Sequence, residues 1–195
     1  MKLIKPLILA AFLTSVICIG AASPAYADEL SEARAILDEN LPGTLMHNPY
    51  DIRWSASGPD KRTKIVDAEG APGGKAYQIR VKKKQMRTWE INIAIQLDSE
   101  ANIGDEIVLH FWARTVKPAK GFETAKITAL VQRNTDPYDA IITQGFSPTQ
   151  DWAIYTAKGV ATKNYGVDSL QASFQVADHA QTVEFGQFYV SNLGQ

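Results

Sequence analysis

The side chains best suited to chemistry stand close together at residues 107–115, which read IVLHFWART. His110, Trp112 and Arg114 follow one another at every second position. Alternate side chains of a β-strand point to the same face, so these three groups would share one face while the apolar residues between them face the core. Either a second layer covers that face, or a ligand lies on it. An indole stacks on the apolar face of a sugar, and a guanidinium donates hydrogen bonds to its hydroxyls.

Sequence signatures of catalysis and of metal binding are missing. His47, His110 and His179 are far apart in the sequence. The single cysteine, Cys18, lies in the apolar run near the N-terminus. We find no HExxH motif, EF-hand loop, phosphate-binding glycine loop or G-x-S-x-G elbow. Carboxylates are plentiful, but no spacing marks a pair of the glycosidase kind. The sequence therefore favours a non-catalytic function and indicates no metal or cofactor.

The elements that would position these residues are strands, because the hydrophobic period is two from Ile52 onward. Ten strands are predicted, with turn signals between them, and this pattern is typical of an antiparallel β-sandwich. Gly186 interrupts the last strand and predicts a β-bulge. In the fourth strand the alternation places Trp89 on the apolar side. The predicted strands are 51–56, 62–68, 75–82, 88–97, 105–115, 124–133, 139–145, 151–157, 168–176 and 181–190.

The N-terminal region predicts export. A positive start, an apolar run and the A-x-A site at residues 25–27 form a secretory signal peptide over residues 1–27. Residues 28–50 are predicted to hold one short amphipathic helix, at 29–38, and a linker. Residues 51–195 would form the β-sandwich. We therefore expect a soluble protein that is secreted or periplasmic and does not insert into a membrane once the signal is cleaved.

The charge balance argues against two classes of partner. Removing Lys2 and Lys5 leaves 18 of the 20 Lys and Arg residues against 21 Asp and Glu residues. A mildly acidic protein is not expected to bind nucleic acid or an anionic membrane surface as its main partner. We interpret the basic runs at residues 61–64 and 82–84 as a solvated strand edge and a solvated turn.

Residues 54–194 resemble the carbohydrate-binding modules of families 4, 9 and 22, found beside xylanases and glucanases. The resemblance rests on GGKAYQIRV at 73–81, WEINIAIQL at 89–97, GDEIVLHFWART at 104–115, the strand around Trp152 and QTVEFGQFYVSNLG at 181–194. It implies a galactose-binding-like jelly roll whose concave sheet binds glycan. The family often holds a structural calcium near the final strand, where this chain has Asn192 in place of the expected Asp.

The resemblance also implies a set of sugar-binding residues. Trp112 and Arg114 are expected to look out on the concave sheet, with Gln132 and Tyr138 on or beside the same surface. The predicted ligand-binding residues lie at, or next to, positions where the family contacts sugar. They are Arg62, Trp89, Glu90, Trp112, Arg114, Gln132 and Tyr138. The predicted function is binding of a polysaccharide or oligosaccharide without catalysis. A small jelly-roll glycoside hydrolase or polysaccharide lyase, or an envelope domain that binds protein, remain the alternatives.

Overall fold

The computed structural model describes residues 42–49 and 54–195. Predictions for the signal peptide and for the helix at 29–38 lie outside these residues. Within the two described ranges, no helix is long and apolar enough to cross a membrane.

The described chain is built from eleven strands and two short 3-10 turns. All strand pairs are antiparallel, and they form two sheets. A six-stranded sheet has the order β3-β4-β11-β6-β9, with β1 also paired to β11, and a five-stranded sheet has the order β2-β5-β10-β7-β8. The 3-10 turns are Pro72–Gly74 and Thr88–Glu90. The strands are β1 Thr44–Leu45, β2 Ser55–Ser57, β3 Lys61–Asp67, β4 Lys75–Val81, β5 Asn92–Gln96, β6 Glu106–Lys117, β7 Ile127–Arg133, β8 Ala140–Phe146, β9 Ala153–Val160, β10 Leu170–Gln175 and β11 Thr182–Asn192.

The core fills the space between the sheets, as the alternation of β6 illustrates. Ile107, Leu109, Phe111 and Ala113 are fully buried, so this predicted apolar face is confirmed. Phe111 lies 5.1 Å from Phe174 of the opposite sheet, ring centroid to ring centroid. Each strand therefore turns one row of side chains into the core and the other row to an outer face.

Each of the ten predicted strands overlaps a strand of the structure, and the prediction of an all-β antiparallel sandwich is confirmed. Residues 51–53 of the first predicted strand lie outside the described residues, and β2 begins at Ser55. One strand was missed: β1 lies inside residues 28–50, which the sequence assigned to a helix and linker. It pairs with Ser191 and Asn192 of β11. A two-residue strand is too short to show a period of two, so the sequence pattern carries no signal for it.

The predicted bulge at Gly186 is confirmed by a shift in register between Phe185 and Phe188 of β11. A Cβ atom at Gly186 would lie 3.0 Å from the Cβ of Trp112 on β6 and 3.6 Å from the ring of Trp152. Glycine is needed here because the neighbouring side chains approach the backbone closely.

Candidate functional site

The structure divides the seven predicted site residues between opposite sides of the sandwich. Their expected grouping on one surface is wrong, because β6 belongs to the six-stranded sheet and β7 to the five-stranded sheet. On the outer face of the six-stranded sheet lie Arg62, Trp112 and Arg114. On the side of the five-stranded sheet lie Trp89, Glu90, Gln132 and Tyr138.

Arg114 is held by protein groups on its own sheet. Its Nε atom donates to Glu184 at 2.7 Å, and its guanidinium lies 5.0 Å from the ring centre of Trp152. The Glu184 side chain is only 4% exposed and also accepts a hydrogen bond from Gln78 at 2.7 Å. Arg114 therefore neutralises a buried carboxylate, which is a structural role that the alternation pattern did not reveal.

Two other outward side chains of β6, Trp112 and His110, are partly covered. Trp112 is half-buried, packs against the bulge at Gly186 and lies opposite Ile154 of β9. His110 is also half-buried, and its Nδ1 atom lies 2.8 Å from the hydroxyl of Thr156. Burial, and then the positive charge of Lys158, lower the pKa of His110 below its ordinary value.

The outer face of the five-stranded sheet is rich in side-chain amides. In one row Gln96, Gln171 and Gln132 lie directly opposite one another on β5, β10 and β7. In a second row, four residues along the strands, stand Asn92, Gln175 and Thr128. The two rows are about 13 Å apart and each spans about 10 Å across the three strands. Between them lie Ala94, Ser173 and Leu130. We call these outward residues of β5, β7 and β10 the amide face.

Two amides of this face have no protein partner. Gln132 is buried, at 8% exposed, and Gln171 beside it is half-buried. Neither side chain makes a hydrogen bond to any other residue in the described part of the chain. Neither amide is among the polar groups of the described residues that are both buried and unpaired, so their donors and acceptors remain open to solvent. This pair is therefore available to hydroxyl groups that lie on the sheet.

The other amides are anchored within the protein. The Gln96 amide donates to the carbonyl of Leu170 at 3.2 Å and accepts from Asn134 at 3.0 Å. Asn92 accepts from the hydroxyl of Ser173. These bonds fix Gln96 and Asn92, whereas Gln132 and Gln171, in the same row as Gln96, keep their amides free among the described residues.

Trp89 stands at one end of the amide face. The predicted strand 88–97 begins only at Asn92, because Thr88–Glu90 form a 3-10 turn. The period of two is broken there, so Trp89 points outward and is 56% exposed, and its predicted place on the apolar side is wrong. The Thr88 hydroxyl donates to the side chain of Gln175 at 2.7 Å and fixes the turn against the face.

The neighbours of Trp89 position its ring. The Arg87 guanidinium lies 5.3 Å from the ring centre, within the range of a cation–π contact. The Glu90 carboxylate accepts a hydrogen bond from the Arg87 backbone N–H at 3.1 Å. Glu90 therefore caps the turn and supports the indole.

Tyr138 stands beyond the opposite end of the amide face, in the turn between β7 and β8. Its ring is 53% exposed and its backbone adopts a left-handed conformation, with φ of 56°. Such strain in a non-glycine residue is frequent in ligand-binding loops. Trp89, before β5, and Tyr138, after β7, thus flank the face diagonally.

Asp139 anchors this turn through three neighbours. It accepts from Tyr165 at 2.7 Å and from Arg133 at 2.9 Å, and it lies 3.3 Å from the amine of Lys163. The Tyr165 hydroxyl is the largest cause of a pKa of about 2 for Asp139, with the two cations adding to it. Burial, and then the Asp139 carboxylate, raise the pKa of Tyr165 to about 12.

Acidic side chains that could hold a metal ion do not cluster within residues 42–49 and 54–195. Asn192, at the position where the resemblance expects an acidic residue, donates from its amide to Asp105 at 2.8 Å. Its amide oxygen accepts from the backbone of Gly194 at 2.8 Å. Asn192 therefore serves as a link between the end of β11 and the loop before β6.

No family model and no curated sequence match this chain. Solved structures do match it. A family 4 carbohydrate-binding module is 18% identical, with a TM-score of 0.53 over 71% of this chain and 86% of that one. The xylan-binding domain CBM22-1 of Paenibacillus barcinonensis Xyn10C is 13% identical, with a TM-score of 0.56 over 79% and 97%. A putative sugar-binding protein from Bacteroides thetaiotaomicron is 8% identical, with a TM-score of 0.54 over 78% and 94%.

These likenesses confirm the predicted resemblance at the level of the fold, a jelly-roll sandwich shared with carbohydrate-binding modules. Identities this low carry no residue-by-residue assignment of function. The likeness therefore extends to the fold, and the chemistry of the amide face depends on its own side chains.

Proposed function

We propose that this protein binds a polysaccharide or oligosaccharide on the amide face, without catalysing its cleavage. The observation that carries the proposal is the unpaired pair of amides, Gln132 and Gln171, between the exposed rings of Trp89 and Tyr138. Each amide can both donate to and accept from sugar hydroxyls, while an aromatic ring stacks on the apolar face of a sugar. The structural neighbours, which are carbohydrate-binding modules, support the same class of ligand.

The composition of the amide face supports binding without catalysis. Its strands turn amides, hydroxyls and alkyl groups outward, and none of these groups can act as a general acid or base in glycoside cleavage. Incubation with xylan, β-glucan, alginate and pectin, followed by assays for reducing ends and unsaturated products, tests this. We expect no turnover. Turnover that is lost when one carboxylate is mutated would show that the protein is an enzyme and would contradict the proposal.

The binding test compares two faces of the same fold. A glycan array and calorimetry, with xylan as the first polymer because the family 22 neighbour is a xylan-binding domain, would identify a ligand. Trp89→Ala and Gln132→Ala should each weaken binding about tenfold, since each removes a contact of about 1–1.5 kcal/mol. Ile154→Ala, which truncates an exposed side chain on the opposite sheet, is the matched control. Equal losses in all three variants would exclude the amide face as the site.

The proposal includes export and independence from metal. We expect cleavage after Ala27, which the intact mass of the exported protein tests; a retained N-terminus would contradict it. We expect glycan binding and melting temperature to be the same in the presence of calcium and in the presence of a chelator. The reason is that the Asn192 amide already donates a hydrogen bond to the Asp105 carboxylate. A rise in melting temperature on adding calcium would contradict this.

A further inference from the structure

Positive charge is concentrated in one segment of this chain. Residues 61–87 contain nine Lys and Arg residues and two acidic ones, Asp67 and Glu69. That segment carries a net charge of +7, although the whole chain carries −1. The segment comprises the β3–β4 hairpin and the turn that follows it. A mildly acidic protein therefore has one strongly basic region, at the edge of the six-stranded sheet.

The geometry of the hairpin brings two of these cations together. Arg62 of β3 and Arg80 of β4 lie directly opposite each other and point to the outer face, because Ile79 and Val81 on either side of Arg80 are core residues. Lys64 stands two residues along β3, and Lys82 stands two residues beyond Arg80. Opposite residues are about 5 Å apart and successive outward residues about 7 Å apart. We call Arg62, Lys64, Arg80 and Lys82 the cationic corner.

The side chains of the cationic corner are not paired with acidic groups of the described residues, although Asp60 lies nearby and its carbonyl accepts from the Lys82 backbone N–H at 2.7 Å. The four side chains of the corner are exposed, and none makes an ion pair or a side-chain hydrogen bond with another residue in the described ranges. By contrast, Lys75 in the same hairpin pairs with Asp67. Like charges directly opposite each other on neighbouring strands are destabilising, so an anion between Arg62 and Arg80 would relieve a repulsion already present in the protein.

We propose that the cationic corner is a second binding site, for an anionic polysaccharide whose sugar units carry carboxylates. A guanidinium matches a carboxylate with two parallel hydrogen bonds, and the corner offers two guanidinium groups side by side. Regularly spaced cations along extended strands suit regularly spaced anions along an extended polymer. The site lies on the sheet opposite the amide face, so it goes beyond the glycan binding proposed there and does not depend on it.

Other polyanions fit the corner less well. Its outward side chains include no aromatic ring on which nucleic acid bases could stack. The arrangement therefore favours a carboxylated glycan over single-stranded nucleic acid.

The test uses polygalacturonate and, as its uncharged counterpart, the same polymer in highly methyl-esterified form. Arg62→Gln/Arg80→Gln should weaken polygalacturonate binding at least about tenfold in about 50 mM NaCl. Lys120→Gln/Lys158→Gln removes two charges elsewhere, and we expect it to change binding less than about twofold. Melting temperatures show that each variant is folded, and Arg62→Gln alone should leave the melting temperature unchanged or raise it.

Three outcomes would overturn the proposal. They are equal losses in the two double variants, equal binding of charged and esterified polymer, and tighter binding of phosphatidylglycerol vesicles than of polygalacturonate. The amide face is tested separately. Neutral glycan binding should survive Arg62→Gln/Arg80→Gln and weaken in Trp89→Ala, so failure at one site can be told from failure at the other.

Discussion

Replacing Arg114 by Met tests whether this residue holds the fold together or contacts a ligand. Arg114 neutralises Glu184, whose side chain is 4% exposed, whereas the Arg114 side chain is itself 32% exposed. Breaking a fully buried pair costs about 3–5 kcal/mol. Because water can reach part of the Arg114 side chain, we expect Arg114→Met to lower the free energy of unfolding by less than this, about 2–3 kcal/mol.

The predicted loss should be visible in thermal unfolding. For a domain of this size, 1 kcal/mol shifts the melting temperature by about 2–4 °C, so Arg114→Met should lower it by about 4–12 °C. Glycan binding by the folded fraction should be unchanged in calorimetry, because the amide face lies on the other sheet.

The double variant Arg114→Met/Glu184→Met isolates the cause. Replacing both partners of a buried pair by apolar residues is often neutral, so the double variant should recover most of the loss. A fall of less than about 2 °C in the single variant would show that Glu184 is readily hydrated, and the reasoning would be refuted. Lost glycan binding with unchanged melting would restore Arg114 as a ligand contact.

Three further predictions concern the turn at Trp89 and two ionisable groups. Gly58→Ala should destabilise the protein and weaken glycan binding, because its Cβ would lie 1.8 Å from the carbonyl oxygen of Glu90 at a φ of 98°; unchanged melting and binding would contradict this. The pKa of Asp139 is lowered to about 2, chiefly by Tyr165, so its stabilisation is present at neutral pH and lost as pH falls from about 4 to about 2. Asp139→Asn should lower the melting temperature at neutral pH, and the difference from wild type should shrink over that range. The lowered pKa of His110 means that the folded state takes up its proton less readily than the unfolded chain, so stability falls as pH drops below about 6.5. His110→Gln should show a smaller fall in melting temperature over that range, and an equal fall would exclude His110 as the cause.

The sequence predicts strands well and the arrangement of strands poorly. The alternation in β6 identifies Ile107 and Phe111 as core residues, and it also places Trp112 and Arg114 on one outer face. It does not say which sheet β6 joins, because pairing depends on contacts between residues far apart in the chain. The resemblance predicts Gln132 on or beside the surface of Trp112, whereas the two lie on opposite sides of the sandwich.

Gln171 and Gln175 belong to the amide face but are not among the predicted site residues, because the sequence pattern that marks them is weak. Gln171 and Gln175 alternate with the apolar residues of β10, as solvent-facing residues do in any half-buried strand. Their significance comes from the pairing of strands, which sets Gln171 opposite Gln132 and Gln175 opposite Thr128. Trp89 was misplaced for a local reason, since a 3-10 turn of three residues interrupts a pattern that otherwise reads as continuous strand.

The position of β11 has a consequence for how the protein folds. This strand pairs with β4, β6 and β1 and so lies inside the six-stranded sheet, although it is the last strand in chain order. Thr44 of β1 must meet Asn192, a partner nearly the whole described chain away. The six-stranded sheet cannot assemble until β11 has been synthesised, and contacts of such long range fold slowly. We therefore expect acquisition of native structure to follow synthesis of the strands rather than to accompany it, with folding times in the range of milliseconds to seconds that is typical of β-sandwiches.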